Sequence, residues 1–445
     1  MKLTKNRYYQ LIFYTLISLI IFFNGGNYEL FAQLNFILVS FFFIFCLKDK
    51  NYSAHIKKFF NLNKEILIIY FIFLLYLFIQ LIPLPYEILK FFSPTKYNYL
   101  MNLGLNEKYS SISLDLNKSY FSFLNYFSLI IYLIIFKCIF YKERHFQRFY
   151  YFLTFIGFVS SAVAILLFLT NETSIFFFNK SNYLNSSTGF FINRTVFSCF
   201  LILSFLSGIE YLANIDQINK RENFYDKIYI RIYLLFITIG IITSFSRLGN
   251  FLLLILILIY LIKIYKDKDN QNKFIQFTLI AIIFFDLFII GFFFGNVQLI
   301  DRFSFLKSDL LSYTNDNNLI TSISRSNLAK FSLFQIKNFF IFGYGSGSFE
   351  MLFKNFYSNV NFSYADQAHF DLAQFIGEFG IIGIILVLTI LLKTLKKLII
   401  DTVKNIYLSI LVILILFFDF SLHIPLIQLT VILIFSISNK KKIIQ

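Results

Sequence analysis

Two arginines and one histidine stand where a mostly apolar chain turns polar. Arg247 lies in Thr243-Ser244-Phe245-Ser246-Arg247-Leu248-Gly249-Asn250, between two apolar runs. Arg325 opens an amphipathic segment, with Phe331, Phe334 and Phe339 as its apolar stripe, that stops at the glycine cluster Gly343-Tyr344-Gly345-Ser346-Gly347. His369 then leads into an apolar run broken by Gly380 and Gly383. A guanidinium fork matches the paired oxygens of a diphosphate, which a lysine point charge does not. Arginines within a membrane usually face the bundle interior or water. A histidine at the mouth of a helix, where the dipole disfavours a cation, suits a general base. The plain alternatives are a snorkelling arginine at Arg247, an exposed loop arginine at Arg325 and a helix-capping histidine at His369. Taken together, two arginines and one histidine form a more specific set than any one of them alone: cations able to hold a phosphate group and a candidate base.

The elements that must position these residues are membrane helices. Hydrophobic residues make up 58% of the 445 and charged ones only 14%, against about 25% charged in a soluble domain. The fold class read from this is an all-α polytopic membrane protein. A ruler of about 20 apolar residues per crossing gives twelve spans: 8–23, 29–47, 66–82, 119–140, 149–170, 190–213, 228–246, 248–265, 274–295, 370–392, 406–420 and 424–438. With an inward start, most of the 40 lysines and arginines fall on the side of the two termini. This is the asymmetry of cytoplasmic loops, so the net charge of +16 needs no nucleic acid to explain it. Two external loops are long, 83–118 and 296–369. The second is too long for a connector, is expected to be partly helical, and carries the candidate site. The chain reads as a single transmembrane domain over 1–445.

Other chemistry is sparse. Cys46, Cys138 and Cys199 lie in apolar runs without pair spacing, which predicts neither disulfide nor metal site. No P-loop, GxGxxG or zinc spacing is present, so no cofactor and no metal is expected. His55 and His145 fall in basic loops. His423, in Asp419-Phe420-Ser421-Leu422-His423-Ile424-Pro425, is expected to make a structural contact with Asp419. Asp366, Asp371 and Glu378 are near His369 in sequence, and one of them could orient its ring.

Several short motifs occur in order along the chain. Leu81-Ile82-Pro83-Leu84-Pro85 precedes Ser93-Pro94, then come Ser111-Ile112-Ser113-Leu114-Asp115, Gly189-Phe190-Phe191-Ile192-Asn193-Arg194 and Ser246-Arg247-x-Gly249. His369-Phe370 is followed by nine residues, Gly380, two residues and Gly383, and the last motif is Asp419-Phe420-x-Leu422-x-Ile424-Pro425. This series resembles the O-antigen ligase and polymerase family of bacterial membrane glycosyltransferases. Phe370 stands where that family has Asn, Ser or Gln. The resemblance implies a helical membrane fold whose external loop caps a cavity, and a donor glycan carried on undecaprenyl diphosphate. It implies that Arg247 and Arg325 hold the diphosphate and that His369 activates the acceptor hydroxyl. With such a donor, Arg194 and Arg302 are secondary candidates for phosphate or sugar contacts, and Tyr344 and Tyr364 are candidates for stacking on sugar rings. It further implies a lipid A core or glycan acceptor, and a multi-pass protein of the bacterial inner membrane with its site facing the periplasm. Ligase and polymerase are equally compatible with these residues. A lipid-glycan flippase or transporter is the alternative of another class, but the paired halves of many transporters find no counterpart here.

Overall fold

A computed structural model of the protein describes residues 5–104, 108–172, 174–175, 178–179, 183–215, 224–266, 278, 280–282, 325–357, 365–398 and 403–437. The described chain is almost wholly helical. Helices α1 (Lys5–Phe22), α2 (Glu29–Lys48), α3 (Lys50–Leu62) and α4 (Lys64–Leu81) come first. Two short helices follow, α5 (Tyr86–Phe92) and α6 (Pro94–Asn102). Then come α7 (Leu116–Ile139), α8 (Glu143–Thr170), α9 (Arg194–Ile215), α10 (Phe224–Thr243) and α11 (Arg247–Lys266). After the undescribed stretch stand α12 (Arg325–Asn338), α13 (Phe349–Phe356), α14 (Asp371–Leu398), α15 (Val403–Phe418) and α16 (Pro425–Ser436).

Seven of these helices are long and apolar enough to cross a membrane, and α15 and α16 are shorter apolar helices. The protein is an all-α polytopic membrane protein. Each expected span coincides with a helix except 274–295, nearly all of which lies outside the described residues, as do 296–324 and 358–364 of the loop 296–369, with Arg302 and Tyr364. Among the described residues outside that loop, three helices lie outside the expected runs, α5 and α6 within the external segment 83–118, and α3. Residues 50–62, read as a loop, form α3, an amphipathic helix whose Asp49 N-cap accepts the Asn51 N–H at 3.0 Å; its length and polar face suit a membrane surface rather than a crossing.

The loops at one end of the bundle interlock. Asn24 Oδ1 accepts the Ile192 N–H at 2.8 Å, and Thr243 O accepts the Ser187 N–H at 3.0 Å. Gln80 O accepts from Ser113 N at 3.1 Å, and Tyr344 O from Leu114 N at 2.9 Å. Buried Lys96 donates to the carbonyls of Ser111 and Ser113 at 2.7 and 2.5 Å, so the 83–118 segment is pinned from within. Its exit is capped by Asp115, whose Oδ1 accepts the Lys118 N–H at 3.1 Å as α7 begins.

At this end α14 is broken. Gly380 takes φ 60° and ψ −178° inside the helix, a conformation essentially reserved for glycine. The break frees backbone groups that a membrane interior would leave unsatisfied, and the turn after α12 takes them up. Tyr344 N–H donates to Gly377 O at 2.9 Å, Gly345 N–H to Glu378 O at 3.3 Å, and Ile381 N–H to Phe340 O at 2.8 Å. From α4, Tyr76 Oη donates to Phe379 O at 2.6 Å and Gln80 Nε2 to Phe342 O at 2.8 Å. The two backbones approach so closely that a Cβ on Gly343 would stand 2.2 Å from Glu378 O, and one on Gly380 2.4 Å from Ile341 O.

Gly380→Ala is therefore expected to destabilise the protein by at least about 2 kcal/mol, adding backbone strain to overpacking. Gly104→Ala is the control: its φ is +69° but nothing lies within 4 Å of the added carbon, so the cost is backbone strain alone, about 1 kcal/mol. The fraction remaining monodisperse after graded heating in detergent checks both.

Candidate active site

His369 is placed by the meeting of α14 with the turn between α15 and α16. α15 stops at Phe418, Ser421–His423 makes a single 3-10 turn, and Pro425 opens α16 at a position where its missing N–H costs nothing. The turn is stitched to the first residue of α14 in both directions. Asp371 N–H donates to Asp419 O at 3.1 Å, and Asp371 Oδ2 accepts the Leu422 N–H at 3.0 Å. Asp371 Oδ1 and His423 Nδ1 make a close ion pair, as Ser421 Oγ and Asp419 Oδ2 make a close hydrogen bond.

Against this frame His369 adopts a left-handed backbone, φ 55°, uncommon away from glycine and a form of strain that clusters at active sites. Its ring stands edge-on to Phe420 with centroids 4.8 Å apart. Nδ1 lies 3.9 Å from Oδ1 of the fully buried Asp419. Both atoms are buried and neither makes a hydrogen bond, so a shift of under an ångström would join them. The side chain keeps 18% exposure. With Nδ1 turned toward a carboxylate, Nε2 is the nitrogen left for proton transfer, the arrangement of a base oriented by a third group. The residue able to orient the His369 ring is thus Asp419, rather than Asp366, Asp371 or Glu378.

The second histidine corrects the sequence expectation. His423 pairs with Asp371, not Asp419. Its ring stacks on Phe375 at 3.9 Å, and its Nε2 is 3.5 Å from Glu378 Oε1. Burial works against charge on this ring, but the Asp371 and Glu378 carboxylates outweigh it and push His423 up to about 10. Glu378 also accepts Gly347 N–H at 2.9 Å and Gln374 Nε2 at 2.8 Å. Gln374 in turn accepts Ala368 N–H at 2.8 Å and donates to Gln367 at 2.7 Å. The network therefore holds the residues just before His369. Asp371, Gln374 and Glu378 are spaced at three and four residues, one face of a helix, and that polar stripe in an apolar run was the signal available in the sequence.

Arg194, Arg247 and Arg325 each open a helix. Arg194 begins α9 and lies 5.1 Å over the Tyr183 ring; Arg247 begins α11. Both are partly buried. α11 packs on α9 and α15, and α9 packs on the Ser421–His423 turn, so these two starts share the end of the bundle that holds His369. Cations placed at helix N-termini add to the positive potential of the unpaired N–H groups there, which favours an anion. Arg325 begins α12 and is exposed. It stands one turn before Leu328, which shares an apolar cluster with Ala365 and Ala368, but it lies outside the buried polar network. Tyr344 is fully buried, edge-on to Phe339 and 3.4 Å through its hydroxyl from Gln374 O. It serves the core and cannot stack on a sugar ring.

A helical membrane bundle with a histidine, buried carboxylates and arginine-led helix starts gathered at one end defines a polytopic membrane protein with an enzyme-like site. Residues 232–388 match the family model for O-antigen ligase, which supports assigning the chain to that family and, with it, an O-antigen ligase or polymerase type of function and a glycosyltransferase type of enzyme. The matched stretch contains Arg247, Arg325, the glycine turn, His369, Gly380 and Gly383, whereas Arg194, Asp419 and Pro425 lie beyond it. Among curated proteins, none matches the chain.

The charged state of His423 yields a pH prediction. A folded-state value near 10, above the ordinary 6.5, means that the clamp contributes fully below about 6.5. Its contribution declines as pH rises from there and is gone above about 10. The difference in heat stability between parent and His423→Gln should therefore shrink across that window. A difference that stays constant from pH 6 to 10 would contradict a charged ring.

Proposed function

We propose that the protein transfers a glycan from an undecaprenyl-diphosphate carrier to an acceptor hydroxyl, at the periplasmic face of the bacterial inner membrane. The observation that carries this reading is His369 held 3.9 Å from buried Asp419, at the end of the bundle where arginines begin α9 and α11. The concentration of basic residues at the opposite end supports cytoplasmic termini. On this reading the whole chain is one transmembrane domain, and the segments 83–118 and 296–369 face the periplasm.

His369 Nε2 takes the proton of the acceptor hydroxyl as its oxygen bonds to the anomeric carbon of the donor sugar. The bond from that carbon to the diphosphate oxygen breaks on the opposite face, so the anomeric configuration inverts. The diphosphate leaves with its charge held by Arg247 and Arg325, with Arg194 as a further contact. No metal is required, because guanidinium groups in a water-poor site supply the stabilisation that a divalent ion would give. Asp419 holds the ring during proton transfer and stabilises the imidazolium that forms. The acceptor is a lipid A core or another glycan carrier. The polymerase alternative, in which a second lipid-linked repeat unit is the acceptor, uses the same residues. Unattached polymer accumulating in a deletion strain favours the ligase, and single surface repeat units favour the polymerase.

His369→Ala is expected to slow glycan transfer from purified lipid-linked donor by about 10²–10⁴-fold, the usual worth of a positioned base. Transfer near the parent rate would remove the base assignment. Arg247→Lys keeps the charge and loses the fork, and should weaken donor binding at least roughly tenfold; unchanged affinity would exclude a bidentate role.

A further inference from the structure

Beside the site lies a cavity that the transfer chemistry above does not use. It sits between the starts of α2 and α7, the glycine turn at Gly347, the segment 366–367 and the start of α16. Its volume is about 140 Å³, where roughly 15 Å³ holds one water. Asp366 and Gln367, immediately before His369, form part of its wall, so it adjoins the segment that carries the base.

Its charges argue against an anion. Three carboxylates, Glu29, Glu350 and Asp366, line it against two cations, Lys118 and His423. Lys118 is paired with Glu29 at 2.8 Å, Glu350 with Lys354 at 2.6 Å, and His423 is gripped by Asp371. A diphosphate would find both lining cations already engaged, whereas the arginine-led helix starts lie elsewhere at this end. The remaining polar wall is made of groups suited to hydroxyls: Asn125, Ser122 and Gln428. The His423 side chain is only 9% exposed and lines this cavity; its buried Nε2 makes no hydrogen bond, although Glu378 Oε1 stands 3.5 Å away as its ion-pair partner. A donor held this loosely gains from a ligand hydroxyl that comes closer. Tyr126 and Phe121 add aromatic surface.

We propose that this cavity is a subsite for an uncharged sugar ring, bound through its hydroxyls, on the acceptor side of the transfer. The assignment of a side rests on the function proposed above, while the capacity to bind a neutral sugar does not. A hydroxyl can accept from His423 Nε2 and donate to Asp366 or Glu350 at once, which neither an anion nor an apolar group can do.

The test uses the full-length protein in nanodiscs and a panel of methyl glycosides of hexoses and N-acetylhexosamines as probes, read by saturation-transfer NMR. At least one glycoside is expected to bind saturably at millimolar concentration, and equally well to His369→Ala. Asn125→Leu and Asp366→Ala should each weaken it roughly fivefold or more, the loss of about one hydrogen bond. Asp366 is exposed, so its variant tests the site without disturbing the core. Inorganic diphosphate should not displace the glycoside. Absence of saturable binding by every member of the panel, binding unchanged in both variants, or displacement by diphosphate would each overturn the proposal. Transfer retained in His369→Ala alongside glycoside binding lost in Asn125→Leu would instead sink the base and leave the subsite standing.

Discussion

The architecture hangs on one backbone-to-backbone contact, between the turn at Gly343 and the break in α14 at Gly380. A helix broken in a membrane must find partners for the peptide groups it releases. Here a second irregular segment supplies them, with Tyr76 and Gln80 from α4 closing the remainder. Neither segment tolerates a Cβ where they touch. The contact therefore fixes the height of α14 against the glycine turn, and through α14 it fixes the two histidines and three buried carboxylates at its start.

A second layer of polar contacts turns that height into a geometry. Asp371 grips the Ser421–His423 turn, Glu378 grips Gly347, and Gln374 grips Ala368. Three elements far apart in the chain are so tied to one face of one helix. Buried polar groups of this kind are costly when left partly satisfied. Nδ1 of His369 and Oδ1 of Asp419 are among the buried atoms without a hydrogen bond, and they face each other at 3.9 Å. A buried polar pair left open in this way calls for an explanation, and proton transfer at the ring supplies one.

Much of this was legible in the sequence, for physical reasons. Membrane crossings announce themselves by length and hydropathy, and the helices fall on the expected runs to within a few residues. Spacing and motif singled out His369, Gly380, Asp419 and the arginine positions, and the structure sets His369 beside Asp419 and breaks α14 at Gly380. The pairings were not. His423 follows Asp419 by four residues, yet bonds to Asp371, because the 3-10 turn points its ring across to the start of α14. Tyr344 looked like a sugar platform beside flexible glycines, but those glycines bring the backbones together and bury it. α3 was read as a loop because its apolar residues are few. Amphipathic surface helices need only a stripe, and a search for continuous apolar runs passes over them.

The central claim is that one end of this bundle holds a lipid-linked diphosphate against arginine and presents its sugar to His369. A cryo-electron microscopy structure of the His369→Ala protein with undecaprenyl-diphosphate-linked glycan bound tests it most directly. The account predicts diphosphate density contacting Arg247, with the anomeric carbon facing the position vacated by the imidazole and Asp419 behind it. Diphosphate density at the opposite end of the bundle, or at this end but turned away from residue 369, would contradict it.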